Sequence, residues 1–240
     1  MILLGGKAWG VPSAPAKTYI VGSTATGVPF SFIDVKTTML IGAMIDIVKA
    51  IAADAGFRID LRVTPFGALI PSLTTRKIDI ISAAMLRTPA RAQVVDFSDA
   101  VYAYGAGIVV PARSPREYRS VADLRGTAVG AEVGTRFVDQ LKAAGVQDIK
   151  TYDNLMEMLA DLSVGRIGAA YGDAPIFAYQ LAQARIKSAR LATEFRPPSI
   201  EEVCLVVRKG DAELLARINT SIRRLKNTAI QSILNRWGLH

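Results

Sequence analysis

Runs with the two-residue period of strands alternate along this chain with runs of helical period. A chain that alternates in this way folds as α/β with mostly parallel sheets. Tyr19–Ser23 (YIVGS) opens as a strand. Gly42–Ala55 follows as a helix with Met44, Ile47, Val48 and Ile51 on one face and Gly56 at its end. Further strands read at Arg58–Val63, Ile78–Ala83, Gly105–Pro111, Thr127–Ala131, Ile149–Tyr152, Ile167–Tyr171 and Val203–Arg208. Helices read at Phe66–Thr74, Thr88–Ala92, Thr135–Ala144, Asn154–Val164 and Ala174–Ala184. Asp211 then caps a helix with Leu214, Leu215, Ile218, Ile222 and Leu225 at helical spacing, and a short amphipathic helix runs through Trp237.

The chain has 240 residues, half of them hydrophobic, enough to bury the core of one large domain or two small lobes. Its longest apolar stretches, such as Ile78–Leu86, fall well short of the roughly 20 residues of a membrane span, which predicts a soluble protein. Cys204 is the only cysteine and His240 the only histidine, which excludes an intramolecular disulfide. Apart from the last residue, they also exclude a Cys/His zinc site and a Ser-His or Cys-His couple. No metal and no cofactor are implied. The net charge of +8 is scattered, with no run longer than Arg223–Arg224 and no interleaved aromatics, so it reads as solvated surface and not as a nucleic-acid site. Residues 1–16 (MILLGGKAWGVPSAPA) carry small residues at Ala14 and Ala16 but no basic start or sustained apolar stretch, and read as a leader or signal remnant.

One internal similarity stands out. LIPSLTTRKIDIISAA (69–84) and MLADLSVGRIGAAYGD (158–173) share a helix, a basic turn and a strand, with Leu73 on Leu162, Lys77 on Arg166 and Ile78 on Ile167. It predicts two lobes of like construction. Ligands of such sheets bind beyond the carboxyl ends of the strands, so both strands deliver their following segments, AAMLRTPAR and GDAP, to one cleft.

Those segments carry the chemistry of anion recognition. Arg91 falls in the first turn of one expected helix and Arg136 in that of another, after Thr135, where the helix dipole disfavours a cation and a nearby anion relieves it. Free amides at a helix start together with a bidentate guanidinium form a carboxylate receptor. Spacing alone leaves local alternatives open: Arg91 bent to Asp96 or into water, Arg136 solvated, and Asp173 an N-cap for the helix from Ala174.

GVPFSFIDVKTTMLIGAMIDIVKAIA, FGALIPSLTTRKIDIISAAMLRTPARAQVVDFSDAVY, DLRGTAVGAEVGT and AAYGDAPIFAY resemble successive signatures of the family 3 solute-binding proteins of polar amino acid ABC transporters, from about Tyr19 to Trp237. The resemblance implies a type II periplasmic-binding-protein-like fold, two α/β lobes joined by two hinge strands with a ligand cleft between them. It divides the chain into lobe 1 over 17–105 completed by 205–240, lobe 2 over 111–202, and hinge strands near 106–110 and 203–207. It further implies a soluble periplasmic protein, a monomer, that takes up a small carboxylate-bearing molecule, an amino acid or a derivative, and hands it to an ABC transporter permease.

Carried over residue by residue, Arg91 clamps the ligand α-carboxylate and Asp173 receives its α-ammonium. Backbone groups of Ala84 and Leu86 meet the ligand from the first lobe, amides at Thr135 and Arg136 from the second, and Phe66 forms a wall. Phe30 reads as core, and Asp46 and Asp79 as structural. The sequence departs from the family pattern in four places. Gly27 and Val28 stand where an aromatic wall is usual, Leu86 where a Ser or Thr contacts the amine, Arg87 where an apolar residue is common, and Arg136 where a smaller residue is found. Arg136 with Arg91 suits a second acidic group on the ligand, unless Glu132 neutralises it.

Two other functions share the fold. A cyclohexadienyl dehydratase would need a buried carboxylic acid, for which Glu132 and Asp173 are placed. A ligand-sensing ectodomain would need a tether or signalling segment. The binding reading predicts no enzymatic activity.

Overall fold

The computed structural model describes residues 16–183 and 187–239. The expected leader lies outside them up to residue 15, as do Ala184 at the end of one expected helix and His240.

The first half of the chain holds β1 (Thr18–Ser23), β2 (Thr26–Gly27), β3 (Ser31–Ile33), β4 (Leu40–Ile41), α1 (Ala43–Ala55) and β5 (Arg58–Val63). A 3₁₀ turn at Phe66–Ala68 leads into α2 (Leu69–Thr74), followed by β6 (Ile80–Ile81), α3 (Pro89–Ala92), β7 (Val95–Phe97) and β8 (Tyr102–Pro111). After a second 3₁₀ turn at Val121–Leu124 come β9 (Val129–Glu132), α4 (Arg136–Ala143), β10 (Ile149–Tyr152), α5 (Leu155–Ser163), β11 (Ala169–Asp173) and α6 (Ala174–Gln183). The chain closes with β12 (Ala189–Leu191), β13 (Ile200–Val203), β14 (Val206–Arg208), α7 (Ala212–Leu225), a π turn at Lys226–Ile230 and α8 (Gln231–Arg236).

Two main sheets result, ordered β5-β1-β6-β14-β7 and β10-β9-β11-β8-β12, with β13 also on β8. Each is parallel except for one reversed strand. That strand is β14 in the first sheet, antiparallel to β6 and β7, and β8 in the second, antiparallel to β11, β12 and β13. Both reversed strands enter from a chain segment that has just served the other sheet, which is why neither continues the parallel crossover pattern. The expected single strand over Val203–Arg208 is two strands: β13 pairs β8 in one sheet and β14 pairs β6 in the other, with Cys204 and Leu205 buried between them. The apolar run Val203–Val207, buried throughout, hides this change of sheet.

The repeated unit is confirmed in detail. The last turn of α2 closes with Arg76 N–H to Leu73 O (3.2 Å) and Lys77 N–H to Ser72 O (2.9 Å), and that of α5 with Gly165 N–H to Leu162 O (3.2 Å) and Arg166 N–H to Asp161 O (3.0 Å). This is the Schellman closure, which needs one left-handed residue. Gly165 supplies it at φ 74° and Arg76, a non-glycine, at φ 63°. Leu73 and Leu162 are buried on the inner faces, followed by buried Ile78 and Ile167.

The C-terminal helices return to pack on α1. Asp46 fastens them by accepting from Trp237 Nε1 (2.9 Å) and Arg236 (2.8 Å), and Asp79 holds Arg208 (2.9 Å) at the entry to β6. Both carboxylates are structural, as read. Asp211 occupies the N-cap position of α7 without a side-chain capping bond. Its carboxylate turns instead to Arg208, 3.7 Å away. Among the described residues no helix is long and apolar enough to cross a membrane.

Candidate ligand cleft

The two sheets aim the carboxyl ends of β6 and β11 at a common cleft lined from both sides. All seven residues singled out in the sequence (Phe66, Ala84, Leu86, Arg91, Thr135, Arg136 and Asp173) line it.

Arg91 reaches the cleft because Thr88 starts α3: the Thr88 hydroxyl accepts from Arg91 N–H (3.3 Å) and Pro89 fixes the first helical position. Its guanidinium does not bend to Asp96, which pairs with Lys209 (2.8 Å). It donates to Leu86 O (2.9 Å), lies over the Phe66 ring (5.4 Å to the centroid) and donates across the cleft to Gly134 O (3.1 Å). Burial lowers the Arg91 pKa from its ordinary value, Asp173 opposes that shift, and the Arg136 charge adds to it. A guanidinium held this way, on carbonyls and a ring face, has the chemistry of a carboxylate receptor. Gly134 adopts φ 75°, and a Cβ there would sit 2.8 Å from Gly67 Cα, so the two sides approach backbone to backbone at this point.

Ala84, the counterpart of Asp173 in the repeated unit, has φ 52°. A left-handed alanine is strained, and such strain clusters at ligand sites. It turns the chain out of β6 so that its backbone lines the cleft. Leu86 is buried and bridges Val203, so its side chain serves packing while its carbonyl orients Arg91. Arg87 points away from the cleft, pairing with Glu202 (3.3 Å) and donating to Ser98 O (2.6 Å).

On the other face, Asp173 ends β11 opposite Ala106 and accepts from the Tyr104 hydroxyl at 2.5 Å. Burial raises the Asp173 pKa, partly opposed by the Tyr104 hydrogen bond and the charges of Arg136 and Arg91. Glu132 lies beside it, pushed up to about 8 by burial and by the nearby Asp173 and Asp153 charges. Thr135 is at the N-cap of α4, yet its hydroxyl does not cap. Hydroxyl and amide both turn back to Glu132 O (2.7 and 3.3 Å), so the first turn of α4 has no side-chain cap. Arg136 is 8% exposed and approaches Glu201 (Nε to Oε2 2.8 Å), not Glu132.

Tyr104, Glu201 and the small wall residues Thr24 and Thr26 went unread in the sequence, whereas Gly27, read there in place of an aromatic wall, does line the cleft. The alternation Tyr102, Tyr104 into the strand was the available signal for Tyr104, but its partner follows only from the β8–β11 register. Phe30 is both core and wall, 1% exposed and stacked on Tyr104 (centroids 5.5 Å apart).

Comparison with known proteins agrees with this architecture. The chain is 28% identical over 223 residues to the L-cystine-binding protein TcyJ of Escherichia coli (strain K12), covering 92% of this chain and 82% of that one. It superposes on an ancestral arginine-binding protein bound to arginine with a TM-score of 0.85 at 32% identity, covering 93% and 99%. An ancestral amino acid-binding protein, AncCDT-1, a precursor of cyclohexadienyl dehydratase, gives a TM-score of 0.82 at 29% identity, covering 92% and 95%. Residues 19–240 match the bacterial extracellular solute-binding proteins, family 3, and the chain belongs to that family.

Proposed function

We propose that this solute-binding protein captures an α-amino acid between its lobes and presents it, in the periplasm and as a monomer, to the permease of an ABC uptake transporter. The observation that carries the reading is the opposition, across one cleft, of the Arg91 guanidinium and the half-buried Asp173 carboxylate. An α-amino acid has one group for each. Arg91 takes the carboxylate and Asp173 the ammonium, while Phe66, Ala84 and Leu86 shape the first-lobe wall, and Thr135 and Arg136 the second. The binding activities of the cystine- and arginine-binding relatives support the same ligand class.

Binding proceeds by closure. The chain crosses between the sheets at Ser98–Val101, whose amides reach Leu205 O and Val203 O (both 2.9 Å), ahead of the expected 106–110, where β8 is already paired along β11, and at Val203–Val206, and these crossings act as the hinge. The bond from Arg91 to Gly134 O links the two sides of the cleft. Enclosure strengthens each charge-assisted bond by removing water.

A second reading, dehydration of a cyclohexadienyl acid, draws on Glu132, a buried carboxyl that stays protonated at neutral pH. No catalytic activity is part of the primary reading, and turnover of an arogenate-like compound would reverse the order of the two. A thermal-shift screen against amino acids, opines, dicarboxylates and keto acids separates binding classes. Stabilisation by α-amino acids is the expected outcome, about 2.7 kcal/mol at one hundred times Kd. Stabilisation only by compounds lacking an amine would contradict the role of Asp173.

A further inference from the structure

Arg136 is the most demanding group in the cleft. It is 8% exposed, and Nε, Nη1 and Nη2 are all buried without a hydrogen-bond partner among the described residues. Glu201 lies 2.8 Å from Nε, yet out of line for a hydrogen bond, and the Phe137 ring packs on the guanidinium at 4.7 Å. The outer nitrogens of a planar fork built for bidentate carboxylates are thereby left over. A buried polar group without partners carries a penalty that a well-placed acceptor removes. The same residue opens α4, whose first turn has no side-chain cap, and Thr135, Arg136 and Phe137 all line the cleft.

A ligand with one carboxylate, taken by Arg91, leaves Nη1 and Nη2 as they are. A doubly charged phosphate would face the acidic groups of Asp173 and Glu132 in the same cavity. A second carboxylate meets the requirement. We infer that Arg136 forms a second anion subsite and that the ligand is a dicarboxylic amino acid, its two carboxylates divided between Arg91 and Arg136 and its ammonium on Asp173. This inference rests on the amino acid reading above and adds the side-chain chemistry.

Calorimetry with two isosteric pairs, L-aspartate against L-asparagine and L-glutamate against L-glutamine, tests it on the wild-type protein and on R136Q. In the wild type at least one acid binds about tenfold or more tighter than its amide, as a charge-assisted bond to a buried guanidinium requires. In R136Q that ratio falls by about the same factor, and R136K recovers part of it. Amides binding as tightly as acids in the wild type, or an unchanged ratio in R136Q, overturns the second subsite; the wild-type ratio does so without depending on how any variant folds. Binding of neutral or basic amino acids with no binding of either acid overturns this inference alone. Failure of every α-amino acid to bind overturns the amino acid reading and this inference with it.

Discussion

The unit at 69–84 and the unit at 158–173 share a helix, a Schellman closure and a buried isoleucine leading into a parallel strand, yet they deliver different chemistry to the cleft. The first ends on Ala84, whose left-handed backbone turns toward Met85 and Leu86 and so presents main chain beneath Arg91. The second ends on Asp173, whose carboxylate is held by Tyr104. The scaffold therefore fixes where the strands end, while the group found at each end differs, main chain after Ala84 and a carboxylate at Asp173. In the proposed reading, the first side offers Arg91 and the second Asp173 to the two ends of one ligand.

Equal scaffolds imply equal packing costs, and the largest expected effect tests this. Leu73→Ala and Leu162→Ala, both in buried positions of the two units, each lower the free energy of unfolding by about 2 to 5 kcal/mol. Urea unfolding of the pair checks it, and a cost below about 1 kcal/mol at one site alone would break the equivalence. Next, Gly134→Ala places a Cβ 2.8 Å from Gly67 Cα at a positive φ, so it obstructs the approach of the two sides. Ligand affinity falls about tenfold, in line with a strain of about 1 to 2 kcal/mol, while the fold persists by circular dichroism.

A smaller effect distinguishes the two turns. Gly165→Ala costs about 1 kcal/mol at φ 74°, whereas Arg76→Gly at φ 63° is neutral or stabilising by a comparable amount, read as opposite shifts of Tm. The smallest effect is on pH dependence. Glu132 binds its proton more tightly in the folded protein, near 8, than at its ordinary value of 4.5. The folded state therefore holds more protons between these values, and stability contributed by the neutral carboxyl, complete below pH 4.5, is lost as pH rises through about 8. Glu132→Gln flattens this decline in a series of melts from pH 5 to 8.5; an unchanged slope would assign the decline to other groups.

Much of this was legible in the chain. The strand at Arg58–Val63 and the strand at Ile149–Tyr152 match their expected bounds, since both are flanked by clear helix ends at Gly56 and Asn154. Arg91 was legible because Thr88 and Pro89 announce a helix start, and a cation in a first turn calls for an anion. Three features were not. β2, β3 and β4 are too short to show a period, and β12 is only three residues long. Glu201 looks like a surface acid beside Glu202, and only the pairing of β13 with β8 turns it inward to Arg136. Tyr104 likewise acquires its role from long-range register, not from its neighbours in sequence.

The central claim is that Arg91 and Asp173 read the two ends of one zwitterion. The direct measurement is calorimetry of an α-amino acid stabilised in the screen, with wild type, Arg91→Ala and Asp173→Asn, alongside the same compound lacking its carboxylate or its amine. Arg91→Ala is expected to weaken the amino acid by about one hundredfold, the loss of a bidentate charged pair, with no further loss for the amine that lacks the carboxylate. Asp173→Asn is expected to do the converse for the acid that lacks the amine. Normal affinity in Arg91→Ala, with the fold intact, would contradict the account.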